Sequence, residues 1–159
     1  MEIFEYETLP NIHGNKDQAI KTLILELYDT MDRLAARARG ISYVPDKKKT
    51  VSEAVEFIKD LQERRLALIA AVTDDHVDLI GFCTVSMLKG DALLTDLIVN
   101  ESFRNQGVAS RLIKEAEIYS RNELKSRYLR INALANNKQA VAMYGKRFKP
   151  YSIDFIKAI

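Results

Sequence analysis

The sequence contains very little cysteine and no long hydrophobic run. Its single cysteine, Cys83, cannot form an internal disulfide, and the N-terminal residues MEIFEYETLP lack the basic start and apolar stretch of a signal peptide. No apolar stretch approaches the roughly 20 residues that would span a bilayer. These absences argue against a disulfide scaffold and against a membrane protein, so a reducing, cytoplasmic compartment is the default expectation.

An excess of charge of one sign is also missing. The formal net charge is +2 over 159 residues, and no basic stripe with interleaved aromatic residues is present, so nucleic acid is not an expected partner. His13 and His76 lie far apart without the spacing of metal ligands, and no metal site is expected. The length and the apolar fraction of 47% suit one globular domain over residues 1–159.

The spacing of the apolar residues predicts an alternation of strands and helices. The predicted order is a strand over 2–9, a turn over 11–15, helices over 17–38 and from Thr50 to about residue 65, strands over 66–72, 77–88 and 92–99, a helix after Gly107, a strand over 128–134, a helix after Asn137 and a last strand over 152–159. Short polar turns predict that the three middle strands form an antiparallel meander. The helical crossover makes the next strand parallel to the strand that ends at Val99. The expected fold is therefore α+β (mixed α/β), with a mostly antiparallel sheet, one parallel pair and about four helices.

Local signals predict where three of the helices begin or end. Gly40 is a stop signal after the first helix. Thr50 and Glu53 stand three apart as a candidate capping box, which predicts that the second helix starts at Thr50. Asn136 and Asn137 precede the fourth helix and are candidates for its cap.

The turn Arg104-Asn105-Gln106-Gly107-Val108-Ala109 is the segment that carries the most chemical information. It joins the end of a strand to the start of a helix, where main-chain amides lack partners and the helix dipole adds positive potential. A pyrophosphate is a natural ligand for such a terminus. Gly107 permits unusual backbone angles and close approach, and Arg104 adds charge at the rim. The alternative is that Gly107 only turns the chain and Arg104 is solvated.

Two common phosphate-binding motifs do not fit this turn. A Rossmann site would place three glycines after the first strand, and a P-loop needs a Gly-Lys-Ser/Thr ending. The turn instead resembles the acetyl-coenzyme A signature of the GNAT family of N-acetyltransferases, Arg/Gln-x-x-Gly-x-Gly/Ala, at Arg104, Gly107 and Ala109. The order of elements resembles the fold of that family along essentially the whole chain, which implies acetyl-coenzyme A as the co-substrate.

A second signature of this family, Asn-x-x-Ala-x-x-x-Tyr, is matched by Asn137, Ala140 and Tyr144. The resemblance implies that Tyr144 is the general acid that protonates the departing thiolate, a role that the chemistry of a phenol supports. Tyr144 as a core aromatic residue is the alternative. The strand that ends at Val99 resembles the fourth strand of the family, which implies that Leu97, Ile98 and Val99 contact the pantetheine arm of the coenzyme. The further coenzyme contacts expected from the turn and the second signature are Arg104, Asn105, Gln106, Gly107, Val108, Ala109, Ser110, Asn137 and Ala140.

The chain departs from this second signature after Tyr144. The segment Gly145-Lys146-Arg147-Phe148 is one residue shorter than the pattern of the family, and Arg147 stands where a glycine should precede Phe148. This departure predicts that the end of the fourth helix is built differently. It leaves the shape of the acceptor side near Phe148 open.

Asp96 is the candidate general base because it lies among apolar residues near the end of a strand, where burial would raise its pKa. The alternative role is a structural aspartate at a β-bulge. The predicted function is transfer of an acetyl group from acetyl-coenzyme A to a primary amine of an unidentified small molecule or peptide. The alternative function is a non-catalytic acyl-coenzyme A-binding module. The resemblance adds a homodimer to the expectations, because strand edges in this fold often pair between subunits.

Overall fold

The computed structural model describes residues 2–6, 15–63, 65–73, 79–155 and 157. The elements are β1 (Glu2–Tyr6), α1 (Asn15–Ala38), α2 (Lys47–Gln62), β2 (Ala67–Val72), β3 (Leu79–Leu88), β4 (Asp91–Val99), α3 (Val108–Asn122), β5 (Leu129–Ile131) and α4 (Lys138–Tyr144), with a short 3-10 turn at Glu101–Phe103 between β4 and α3. The predicted fold class is confirmed, because four helices flank a mixed sheet. The end of the predicted first strand, most of the turn that follows it, His13 and His76 lie outside the described residues.

The described strands form one sheet in the order β1-β2-β3-β4-β5. The first four strands are antiparallel neighbours, as the predicted meander requires, and β4 pairs with β5 in parallel. β3 and β4 are joined by a tight turn in which Lys89 has φ 52 and Gly90 has φ 90. Two positive φ angles in succession match the twist of a hairpin, which brings β4 directly alongside β3.

Two apolar layers cover the two faces of the sheet. The layer under α1 and α2 includes Ile24, Phe57 and Phe82. The layer under α3 includes Leu112, Ile113 and the thiol of Cys83. Because Cys83 is buried and burial raises the pKa of its thiol, this residue packs as a small hydrophobe.

The predicted start of the second helix is wrong by one turn. α2 begins at Lys47, and the Asp46 side chain caps it by accepting a hydrogen bond from the Lys49 amide at 3.0 Å. An aspartate at this position is a strong N-cap, so the helix starts before the candidate capping box. Thr50 is instead buried, and its hydroxyl donates to the Asp46 carbonyl at 2.9 Å.

The C-terminal part of the sheet is smaller than the sequence predicts. β5 spans Leu129–Ile131 rather than residues 128–134, and the described residues of the predicted last strand, 152–155 and 157, form no strand. The alternation of apolar residues in this tail favours a strand only where a neighbouring strand supplies hydrogen bonds, and none lies beside it in the described chain. Ile153 and Phe155 are therefore exposed, while Tyr151 lies under the guanidinium of Arg130, 4.9 Å from the ring centroid.

Candidate functional site

β4 and β5 separate after a short contact. β5 pairs with β4 only along residues 92 to 94, and beyond them β4 continues to Val99 with no neighbouring strand on that side among the described residues. The register with β3 shifts at the same place, since Val85 faces Leu94 whereas Thr84 faces Asp96, which leaves Thr95 as the extra residue of a β-bulge. The result is a gap between the carboxyl ends of the two parallel strands.

The predicted pantetheine contacts lie along this gap. Leu97 and Val99 are partly buried against the layer under α3, and Ile98 is buried in the layer under α1 and α2. No strand of the described chain pairs with these residues on the β5 side, although the Val99 carbonyl accepts a hydrogen bond from Arg104 Nε at 2.9 Å. An extended ligand could therefore pair with this stretch as a further strand would.

The turn before α3 leaves a run of main-chain amides without partners. α3 has no side-chain cap, and the first amide that enters its ladder is that of Arg111, which donates to the Gly107 carbonyl at 3.1 Å. In the described part of the chain, the amides of residues 105 to 110 donate to no group. Free amides at the positive end of a helix dipole favour a phosphate or pyrophosphate ligand.

Two left-handed residues give this turn its shape. Asn105 has φ 61 and Gly107 has φ 80, a conformation that asparagine and glycine adopt more readily than other residues. A Cβ atom built on Gly107 would meet no atom within 4 Å, so the space beside the turn is open. The Gln106 side chain braces the turn by donating to the Ser102 carbonyl at 3.1 Å.

The Arg104 side chain is bonded to β4 and to α1. Its Nε donates to the Val99 carbonyl at 2.9 Å, and its Nη2 forms an ion pair with Glu26 of α1 at 2.5 Å. This arginine therefore fastens α1 to the end of β4. Its charge is paired with a carboxylate rather than offered at the turn.

Asp96 occupies the bulge and is partly buried. The Thr84 hydroxyl donates to Asp96 Oδ2 at 2.6 Å and accepts from the Asp96 amide at 3.2 Å. Burial raises the pKa of Asp96, and the hydrogen bond from Thr84 acts in the opposite direction with less effect. Burial and, with a smaller effect, the charge of Asp96 raise the pKa of the Tyr28 hydroxyl on α1. Both the structural and the basic role are compatible with this arrangement.

Tyr144 is placed at the end of α4 against the layer under α3. Its ring meets that of Phe148 edge to face at a centroid distance of 6.2 Å, and its hydroxyl has no hydrogen-bond partner among the described residues. Burial, with a smaller effect from Cys83, raises the pKa of Tyr144 to about 12. The hydroxyl therefore keeps its proton at neutral pH.

Asn137 caps α4 as predicted. Its side chain accepts a hydrogen bond from the Ala140 amide at 3.2 Å, so two members of the second signature contact one another directly. Asn136 does not cap α4. Its side-chain amide donates to the Leu34 carbonyl of α1 at 2.7 Å, and its Oδ1 is buried without a partner among the described residues.

α1 is thus attached on both sides of the gap. Glu26 holds it to the segment after β4 through Arg104, and Leu34 holds it to the segment after β5 through Asn136. The two attachment points are about two helical turns apart. α1 therefore passes over the opening between the two parallel strands. No local sequence pattern signals the bond between Asn136 and Leu34.

The end of α4 is built without a left-handed residue, as the departure from the family pattern predicted. The amides of Arg147 and Phe148 both donate to the Tyr144 carbonyl, at 2.9 and 2.8 Å. The Arg147 guanidinium extends to the first turn of α3, where it donates to the Ser110 carbonyl at 3.2 Å. Sequence reasoning noted Arg147 only as a departure and missed this contact with the turn that carries the free amides.

Other features of the described residues do not compete with this site. A cavity of about 560 Å³ lies near the C-terminal end of α3, and its lining includes Arg65, Met87 and Tyr119 but no candidate site residue. Within the same residues, no cluster of histidine, cysteine and carboxylate side chains is arranged to hold a metal ion. None of the described helices has the length and apolar character required to cross a membrane.

The comparison with protein families gives a match over most of the chain. The model described as the acetyltransferase (GNAT) family matches residues 27–149. This range contains every candidate site residue. The sequence matches no curated protein significantly.

Solved structures share the fold at low sequence identity. The aminoglycoside antibiotic 6'-N-acetyltransferase AAC(6')-IG from Acinetobacter haemolyticus superimposes with a TM-score of 0.62 at 19% identity, over 100% of this chain and 99% of that one. AAC(6')-Iy, in complex with the bisubstrate analog CoA-S-monomethyl-acetylneamine, gives a TM-score of 0.56 at 18% identity over 100% and 99%. The aminoglycoside acetyltransferase meta-AAC0020 from an uncultured soil metagenomic sample, in complex with sisomicin, gives 0.62 at 14% identity over 99% and 95%.

Proposed function

The chain belongs to the GNAT acetyltransferase family, and we propose that it transfers an acetyl group from acetyl-coenzyme A to a primary amine. The observation that carries this proposal is the turn before α3, where the amides of residues 105 to 110 are free beside open space. Such a turn fits the pyrophosphate of the coenzyme. With the pyrophosphate at this turn, the positions of the pantetheine arm and of the thioester can be inferred.

The coenzyme would extend from this turn into the gap between β4 and β5. Val108, Ala109 and Ser110 would contribute amides to the pyrophosphate, together with those of residues 105 to 107. The pantetheine arm would pair with the main chain of residues 97 to 99, opposite Asn137 and Ala140 at the start of α4. This placement brings the thioester toward the end of α4, where Tyr144 lies.

The reaction would proceed by direct attack. The amine gives up a proton, which Asp96 accepts directly or through water, and its nitrogen forms a bond to the thioester carbon. Main-chain donors of β4 near Val99 stabilise the oxyanion. The carbon–sulfur bond then breaks, and Tyr144 protonates the sulfur to give free coenzyme A and an amide. Holding both reactants in one cleft supplies much of the rate.

The first test is thiol release with acetyl-coenzyme A and a panel of primary amines. The panel should contain ethanolamine, spermidine, a lysine peptide and sisomicin, since two structural neighbours are aminoglycoside acetyltransferases by name. Calorimetry with coenzyme A should run in parallel. Binding with turnover of at least one amine supports the proposal, whereas the absence of coenzyme binding contradicts it.

A second candidate function is a coenzyme A-binding module without transfer, which the altered turn after Tyr144 favours. Tyr144→Phe separates the two functions. For an enzyme we expect kcat to fall by about 100-fold or more, because general acid catalysis contributes on that scale, while coenzyme binding persists. A protein with no turnover on a broad panel, but with intact coenzyme binding, would favour the module.

A further inference from the structure

Arg104 and Arg147 both form hydrogen bonds beside the turn before α3, and their contacts differ from those that the family signatures imply. Arg104 belongs to the signature of the family, yet its guanidinium is paired with Glu26 and bonded to the Val99 carbonyl. Arg147 departs from the signature, yet its guanidinium lies 3.2 Å from the carbonyl of Ser110, within the first turn of α3. Arg147 therefore contacts the first turn of α3, through a main-chain carbonyl, although the family pattern has no cation at this position.

The charge of Arg147 is also the less neutralised of the two. Among the described residues it forms no ion pair, and its one hydrogen bond from a side-chain nitrogen goes to an uncharged main-chain oxygen. A guanidinium has several donors, so the remaining ones are available to a second acceptor. Arg147 is exposed, which allows its end to move by the small distance that a ligand requires.

The backbone explains how this arginine reaches the turn. A glycine before Phe148 would permit a left-handed end to α4, but the chain here ends the helix with two amides that share the Tyr144 carbonyl. That compact ending needs no left-handed residue, so a long side chain is permitted at residue 147. The shortened segment thereby places a cation where the family pattern has none.

We propose that Arg147 binds a phosphate group of the coenzyme and supplies the charge that Arg104 does not. The inference rests on the proposed function and adds a binding residue to its site. The ligand chemistry is a phosphate, and coenzyme A offers two kinds, the pyrophosphate and the 3'-phosphate of its ribose. Arginine suits either one, because its planar fork donates two parallel hydrogen bonds to phosphate oxygens.

The test is calorimetric titration with coenzyme A and with 3'-dephospho-coenzyme A. The proteins are the wild type, Arg147→Gly, Arg147→Lys and the control Lys146→Ala, which removes an adjacent exposed cation. Arg147→Gly should weaken coenzyme A binding by about tenfold or more, as expected for the loss of a charged hydrogen bond. Arg147→Lys should restore part of the affinity, and Lys146→Ala should bind within about twofold of the wild type.

The second ligand identifies the phosphate. If Arg147 binds the pyrophosphate, Arg147→Gly weakens both ligands equally. If it binds the 3'-phosphate, the dephospho ligand binds wild type and Arg147→Gly alike. Wild-type affinity of Arg147→Gly for coenzyme A would overturn the inference, as would an equal loss in Lys146→Ala. If the wild type itself binds no coenzyme A, the proposed function fails, which is distinct from a failure of Arg147 alone.

Discussion

Arg147, in the turn after α4, bonds to Ser110 in the first turn of α3, but the turn before α3 and the turn after α4 differ in how their main-chain amides are satisfied. Before α3, two left-handed residues expose a run of amides that donate to no described group. After α4, the amides of Gly145, Arg147 and Phe148 all donate to carbonyls of the same helix. The turn after α4 satisfies its own amides, whereas the amides of the turn before α3 need water or a ligand as their hydrogen-bond acceptor.

The largest expected effect is on coenzyme A binding, when a negative charge is introduced beside the free amides before α3. Ser110→Asp places a carboxylate beside the free amides, where it competes with a phosphate and repels it. We expect coenzyme A binding to weaken by about 100-fold, which corresponds to about 2.7 kcal/mol. Calorimetry measures this, with Ser52→Asp on the exposed face of α2 as the control. Equal affinities of the two variants would show that the free amides hold no anion.

Asp96 is a side chain whose burial is incompletely compensated, as the main-chain amides before α3 are. Its one side-chain hydrogen bond, from Thr84, only partly offsets the rise in its pKa that burial causes. If Asp96 is the base, Asp96→Asn should lower kcat by about tenfold or more and abolish the acidic limb of the pH profile. That limb should lie above the pH expected for an ordinary aspartate, because the pKa of Asp96 is raised. An unchanged pH profile would assign Asp96 to the bulge alone.

Asp96→Asn should lower kcat but should not lower the stability of the fold. The folded-state pKa of Asp96 is above its unfolded value, so the folded protein gains stability as pH falls through that pKa and loses it as pH rises. Asp96→Asn cannot ionise and should therefore melt at the same temperature as the wild type or a few degrees higher at pH 7, at about 2–4 °C for each kcal/mol. A lower melting temperature would contradict the burial argument.

Asn136, in the segment after β5, carries a buried Oδ1 that lacks a hydrogen-bond partner. Its value to the fold should then lie in the bond that its nitrogen donates to the Leu34 carbonyl. Asn136→Asp keeps the shape but loses the donor, and we expect faster hydrogen exchange in the last two turns of α1 by about tenfold. Asn122→Asp, at the exposed end of α3, is the control.

The smallest expected effects concern the two glycines. Gly107 has φ 80, so Gly107→Ala should lower the free energy of unfolding by about 1 kcal/mol although its Cβ meets nothing. Gly145 is right-handed, so its backbone suits alanine, although a Cβ there would make a tight contact of 3.2 Å with the Val141 carbonyl. We expect Gly145→Ala to lose less stability than Gly107→Ala. Urea denaturation measures both. Equal losses of unfolding free energy in the two variants would contradict the conclusion that only Gly107 needs a left-handed backbone.

The features that the sequence predicted are those with short-range causes. The start of α3, the Asn137 cap and the meander follow from neighbouring residues, and all three are present. The start of α2 was wrong because two capping signals compete within one turn, and Asp46 acts first. The last strand was wrong in its described residues because alternation cannot show whether a partner strand is available.

The contacts that define the cleft could not be predicted, because they join distant parts of the chain. Arg104 and Glu26 are 78 positions apart, and Asn136 and Leu34 are 102 apart. A single sequence carries no periodicity that pairs such residues. The roles of Tyr144 and Asp96 remain predictions that the experiments above address.

The two-residue turn at Lys89 and Gly90 bears on the order in which the protein folds. It closes the smallest loop between β3 and β4, and hairpins of this kind form within about 1–10 μs because little chain entropy is lost. We expect β3, β4 and α3, which are consecutive in the chain, to assemble early during synthesis. The bond between Leu34 of α1 and Asn136 can form only after the segment that follows β5 has been synthesised. The packing of α1 over the gap between β4 and β5 should therefore be the last part of the site to form.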